Sequence, residues 1–260
     1  MKFEIKNNLL YKDDTQVIFV DTPNKSTGSI VPKYTILHFT ADTNPSSTIS
    51  WFKSKDAKAS AHLLIDRSGN VTQFVKFNQK AWHAGVSEWK NLEGLNSFSV
   101  GIELTNTGRL SKIGDKYFFG KTIIPEKDVI NLTHKNESSS AYWQTYTPIQ
   151  LQVAKAITQT LVKHYDMLDV LGHDDIAPGR KSDPGPAFPM LDFKPVHILD
   201  YYILTSNVNF RIGPSKNDKA IEVLPKGSLV KELERKGDWS RITFVGKIGW
   251  VNNTYMKIAP

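Results

Sequence analysis

The chain has no cysteine among its 260 residues. Disulfide scaffolds, thiolate nucleophiles and cysteine-rich zinc folds are thereby excluded, while the redox character of its compartment stays open. No apolar run approaches the roughly 18 residues of a membrane helix, so nothing is expected to span a bilayer. Nor does the amino terminus, MKFEIKNNLLYKDDTQVIFV, hold the apolar stretch of a secretory leader ahead of Asp13 and Asp14. The protein is thus expected to be cytoplasmic before any release, or a leaderless form of an exported protein. Two histidines four apart on a helix, a common zinc signature, are also missing. Arginine is scarce, and the aromatic-interleaved basic tracts of nucleic-acid surfaces are absent, so no nucleic-acid partner is expected. What is present is ordinary for a globular protein, with 40% hydrophobic and 23% charged residues. The length suits one or two domains with a proper core.

Net charge is +7 and unevenly spread. Residues 201–260 hold 10 basic and 5 acidic side chains, against 23 and 21 in residues 1–200. A basic tail suits an anionic partner such as nucleic acid, a membrane surface or a bacterial wall polymer, and charge alone does not choose among them; a solvated surface would look the same. A boundary is visible near residue 200, after the proline- and glycine-rich Ala177–Pro189 loop and the linker FKPVHILD. Domains are therefore expected at 1–198 and 199–260. The second consists of short alternating runs separated by Gly, Pro, Asn and Asp, the pattern of a small all-β barrel.

The first domain mixes strands and helices, so its class is α/β, with a mixed central β-sheet flanked by helices. KYTILHFT reads as a buried strand. Ser46–Ser54 reads as a helix with serine or threonine caps. AHLLIDRSGNVTQFV reads as a hairpin turning at Asp66–Asn70. In SFSVGIELTN, Phe98, Val100, Ile102 and Leu104 share one face, and Ser99, Gly101, Glu103 and Thr105 the other. The best helix is Thr147–Asp166: Thr147 and Gln150 make a capping-box pattern, Pro148 opens the helix, and Leu151, Ala154, Ile157, Leu161 and Tyr165 recur at helical spacing. Gly108–Tyr146 shows no clean period and is expected to be a loop flanking the active site, with one short helix.

Among seven histidines, His173 stands out. LGHDDIAPGRKSDPGP gathers His173, Asp174, Asp175, Arg180, Lys181 and Asp183 into one proline-braced loop. Two imidazoles and a carboxylate form a common hydrolytic zinc set with one position left for water. His173 and Asp183 would supply two ligands of such a set. A surface turn stabilised by its own Asp and Pro residues is the alternative reading.

Read in order, TILHFTA, SAHLLIDRSGNVTQFV, AWHAG, VGIELTN and GHDDIAPGRKSDPGP resemble the zinc-dependent N-acetylmuramoyl-L-alanine amidases, which share a fold with the peptidoglycan recognition proteins. The resemblance runs from about Lys33 to Met190. It implies one Zn2+ per chain held by His38, His173 and Asp183. It also implies catalytic roles for Glu103, as general base, and Lys181, as oxyanion stabiliser, with His83 contacting substrate rather than closing the metal's open position. His62 is expected to be structural, and His134, His164 and His197 to lie on surfaces or helix faces. VNFRIGPS, VLPKGSLV, GDWSRI and GWVNNTYM resemble a bacterial SH3-like domain, implying cell-wall binding, with Trp239, Trp250 and Tyr255 as candidates to line a groove. The implied activity is hydrolysis of the amide between N-acetylmuramic acid and L-alanine in peptidoglycan or muropeptides. The alternative is a protein that binds muropeptide without cutting it.

Overall fold

A β-branched, apolar run such as YTILHF needs cover on both faces, and the Tyr34–Phe39 strand is buried from Tyr34 through His38. In the computed structural model, which describes residues 1–195 and 201–259, this strand lies inside a six-stranded sheet. The order across the sheet is Asp169–Gly172, Tyr34–Phe39, Ser99–Leu104, Leu63–Ile65, Val71–Gln73, Ile18–Phe19. The first four strands run parallel. Leu63–Ile65 and Val71–Gln73 form the expected hairpin, its turn tied by Asp66 accepting from the backbone N–H groups of Ser68 and Asn70.

The long helix runs Pro148–Tyr165, with the Thr147 hydroxyl accepting from the Gln150 N–H at 3.2 Å. Gln150 does not complete the reciprocal box. Its amide donates instead to the carbonyls of Ile65 and Thr105, both at 3.1 Å, pinning the helix to the end of one sheet strand and the residue just past another. Ala154, Ile157 and Leu161 share a core with Leu63, Ile65, Val100 and Ile102. The first helix is Pro45–Lys53, and its cap is Asn44 rather than a serine or threonine. Pro45 takes the first helical position, which leaves the residue before it to receive the orphan N–H of Ser46.

Gly108–Tyr146 is not a loop. It is a five-stranded antiparallel sheet in the order Thr122–Ile124, Lys116–Phe119, Arg109–Ile113, Ser140–Gln144, Val129–Thr133, with a single 3-10 turn at Glu126–Asp128. Its strands bury little, mainly Leu110, Tyr117, Ile124, Trp143 and Gln144, so alternation is diluted by exposed residues of every kind. The readable signal was in the turns. Gly114–Asp115 and Gly120–Lys121 are two-residue hairpin loops, each opening on a glycine at positive φ (58° and 57°).

By its internal contacts the chain divides into Met1–Phe193 and Lys194–Pro260; the junction expected at 198–199 lies outside the described residues. The second unit is a seven-stranded antiparallel sheet around Leu204, Val208, Phe210, Leu224, Val230, Ile242 and Val251. Trp239 and Tyr255 line a surface cavity of about 320 Å³ together with Arg211 and Lys216; Trp250 is not part of its lining. Among the described residues no helix is long and apolar enough to cross a membrane.

Candidate metal centre and active site

Parallel strands end on the same edge of a sheet, and chemistry carried at their carboxyl ends converges there. His38 is the penultimate residue of its strand, and Glu103 is its register partner on the neighbouring strand. On the other side, the Asp169–Gly172 strand runs directly into His173. Asp183 lies ten residues on and is brought back because its carbonyl accepts the Asp174 N–H at 2.8 Å. The Asp175 carboxylate secures the turn by accepting from the Gly172 N–H at 2.7 Å.

The result is a tight triangle of buried side-chain atoms. His38 Nδ1 lies 3.0 Å from His173 Nδ1, and each of these nitrogens lies 2.9 Å from Asp183 Oδ2. The protons are elsewhere. His173 Nε2 faces the Ala84 carbonyl at 3.0 Å, an oxygen that can only accept, so it carries the ring's proton and leaves Nδ1 bare. Lone pairs from a carboxylate and at least one imidazole therefore point into the same space, a crowding that a cation relieves. Two nitrogens and one oxygen fit a divalent ion of borderline softness, and these three residues form a metal-binding triad. Burial pushes the His38 imidazole down to about 4, helped by His173 and opposed by Asp183. Burial alone would raise the Asp183 carboxyl; a proton on either facing nitrogen, His38 Nδ1 or His173 Nδ1, would hydrogen-bond to it and act in the opposite direction.

Around the triad opens a cavity of about 530 Å³, lined also by His83, Glu103 and Lys181, with Trp51, Phe52 and Trp82 in its wall. Burial and the charge of Asp183 push the Glu103 carboxyl up to about 8, against the pull of Lys181. Its Oε2 is buried and has no hydrogen-bond partner among the described residues. Such an atom is costly in a purely structural side chain and useful in one that exchanges protons.

His83 sits directly behind a ligand, its Nδ1 3.0 Å from His38 Nε2. Room for its ring comes from Gly101, where an added Cβ would collide with His83 Cγ. Gly101→Ala is accordingly expected to displace the ring and cost about 1–3 kcal/mol of stability. Any metal affinity of the triad should fall with it, which melting curves and a divalent-metal titration would check. His62 is held between the Gln79 carbonyl and the Gly101 N–H, at 2.9 and 3.0 Å, as a structural residue would be. His164 is exposed on its helix. His197 lies outside the described residues.

His134 is not on a surface or helix face. It is buried, bonded through Nε2 to Asp174 at 2.9 Å and stacked on Trp143. This contact belongs to a grip that the five-stranded sheet keeps on the ligand-bearing loop. Lys135 pairs with Asp174 and Asp175 at 2.8 and 2.5 Å, the Asn136 amide donates to the Asp174 carbonyl, and the Tyr146 hydroxyl donates to the Pro184 carbonyl at 2.7 Å. No local pattern announces a pairing across 40 residues.

Comparison with known proteins follows the same division of the chain. Residues 28–186 match the family model described as N-acetylmuramoyl-L-alanine amidase, and residues 206–257 match that of the bacterial SH3 domain. The chain is 34% identical over 158 residues to the 1,6-anhydro-N-acetylmuramyl-L-alanine amidase AmpD of Escherichia coli (strain K12), spanning 60% of this chain and 68% of that protein. It is 31% identical over 166 residues to the N-acetylmuramoyl-L-alanine amidase AmiD of the same organism, spanning 60% of this chain but only half, 50%, of that one. The crystal structure of a selenomethionine derivative of AmpD superposes with a TM-score of 0.50 at 25% identity, covering 73% of this chain and 96% of that one.

Proposed function

Because the chain belongs to the N-acetylmuramoyl-L-alanine amidase family, we propose that it hydrolyses the amide bond between N-acetylmuramic acid and L-alanine, with Zn2+ held by His38, His173 and Asp183. The observation that carries this reading is the meeting, in one cavity, of three ligand atoms 2.9–3.0 Å apart with a carboxyl whose oxygen has no partner among the described residues. When bound, the ion supplies Lewis-acid polarisation and acidifies water.

The remaining work falls to the chain's own groups. Glu103 in its ionised form takes a proton from the attacking water and returns it to the departing L-alanine nitrogen; a cation held by the triad would offset the Asp183 charge that helps raise this carboxyl to about 8, and so favour that form. A base poised near neutrality can do both without either transfer being steeply uphill. The Lys181 ammonium, on the cavity lining, stabilises the negative oxygen of the tetrahedral intermediate. The bacterial SH3 domain and its surplus of basic residues support wall binding by the carboxyl-terminal unit.

Mass spectrometry of products from soluble anhydro-muropeptide and from intact sacculi tests the activity and the substrate form together. The expected products are a peptide with a free L-alanine amino terminus and a sugar keeping its lactyl carboxylate. Cleavage within the glycan or the peptide, or binding with no cleavage by zinc-loaded protein, would overturn the proposal.

A further inference from the structure

Three hydrogen bonds run in line behind the metal-facing nitrogen of His38. The Ser99 hydroxyl donates to the Leu95 carbonyl at 2.6 Å. A serine hydroxyl has a single proton, so the same oxygen meets His83 Nε2, 3.3 Å away, as an acceptor. His83 therefore carries its proton on Nε2 and is bare at Nδ1. That bare nitrogen lies 3.0 Å from His38 Nε2 and accepts from it. A neutral His38 with its proton on Nε2 has its lone pair on Nδ1, the atom that faces Asp183 and His173.

We propose that Ser99 and His83 are positioning residues that hold His38 in its Nε2–H tautomer and so turn its Nδ1 lone pair towards the metal ion. The relay is anchored at both ends. Asn96 Oδ1 accepts from the backbone N–H groups of His83 and Ala84 at 2.9 and 2.8 Å, fixing the ring's point of attachment. Ser99 and Gly101 stand two apart on one strand, so they share a face: one supplies the acceptor and the other the space for the ring. A hydrogen-bond partner on a ligand's second nitrogen fixes ring orientation and raises its basicity, and loss of such a partner costs about 10–100-fold in metal affinity. His83 thus acts through His38, a different role from the substrate contact implied by family resemblance.

The inference rests on the metal-binding reading of the triad, and its test separates the two. In the full-length, metal-free protein labelled with ¹⁵N-histidine, His38 is expected to show a protonated Nε2 and a pyridine-like Nδ1, and His83 the same. In chelator competition with Zn2+, His83→Ala should lose about 10–100-fold in affinity and Ser99→Ala a smaller factor. His83→Asn, whose amide oxygen can accept in place of Nδ1, should recover most of the loss. His38 protonated at Nδ1, or His83→Ala binding Zn2+ like wild type while KM rises, would overturn the relay alone. A wild-type protein that takes up no Zn2+ would remove the metal centre and the relay's purpose with it.

Discussion

Glu103→Gln is expected to lower turnover by about 10²–10⁴-fold, the range for loss of the proposed general base, and at the same time to make the metal-free protein more stable. The two effects have one cause. The folded protein holds the Glu103 carboxyl at about 8 instead of the ordinary 4.5, because it is buried and close to Asp183. Between those values the folded state keeps a proton that the unfolded chain releases, so Glu103 costs stability progressively as pH rises from 4.5 to 8. Glutamine has no charge to desolvate. The stability difference between variant and wild type should therefore be smallest below pH 4.5, grow through neutrality and level off above about 8. Each step of one in pH across that interval adds about 1.4 kcal/mol, so the full difference reaches a few kcal/mol. Denaturant titrations of both metal-free proteins at several pH values would measure it. A difference that does not change with pH would mean Glu103 is an ordinary solvated carboxylate.

Asp183→Asn is expected to lower zinc affinity by on the order of 10³-fold or more, since a neutral amide replaces the only anionic donor of the triad. Activity falls with the metal. At zinc concentrations of about 100 times Kd, wild type gains roughly 2.7 kcal/mol of stability, and the variant gains none. Calorimetric melts with and without zinc would show the lost stabilisation. An Asp183→Asn protein that keeps one tightly bound zinc, or a wild-type melt indifferent to the ion, would contradict the assignment.

Much of the fold was legible because its signals are local. Thr147, Pro148 and the spacing of Ala154, Ile157 and Leu161 place the long helix to within a residue. Asp66 to Asn70 announces the hairpin, and the alternation around Ile102 puts Glu103 on the face that lines the cavity. The five-stranded sheet escaped because a strand such as Arg109–Ile113 buries only Leu110, so no period survives in the sequence. His134 escaped for a different reason: its partner Asp174 and its stacking on Trp143 exist only after distant segments are folded together. His83 was recognisable as belonging to the site, whereas its place behind His38 depends on a gap at Gly101 that spacing does not encode.

Crystals of the zinc-loaded protein, measured on both sides of the zinc absorption edge, would show directly whether one ion sits where His38, His173 and Asp183 meet. One anomalous peak per chain is expected, at about 2.0–2.2 Å from the two Nδ1 atoms and the Asp183 carboxylate. A map with no peak at this point, from protein that still cleaves its substrate, would contradict it.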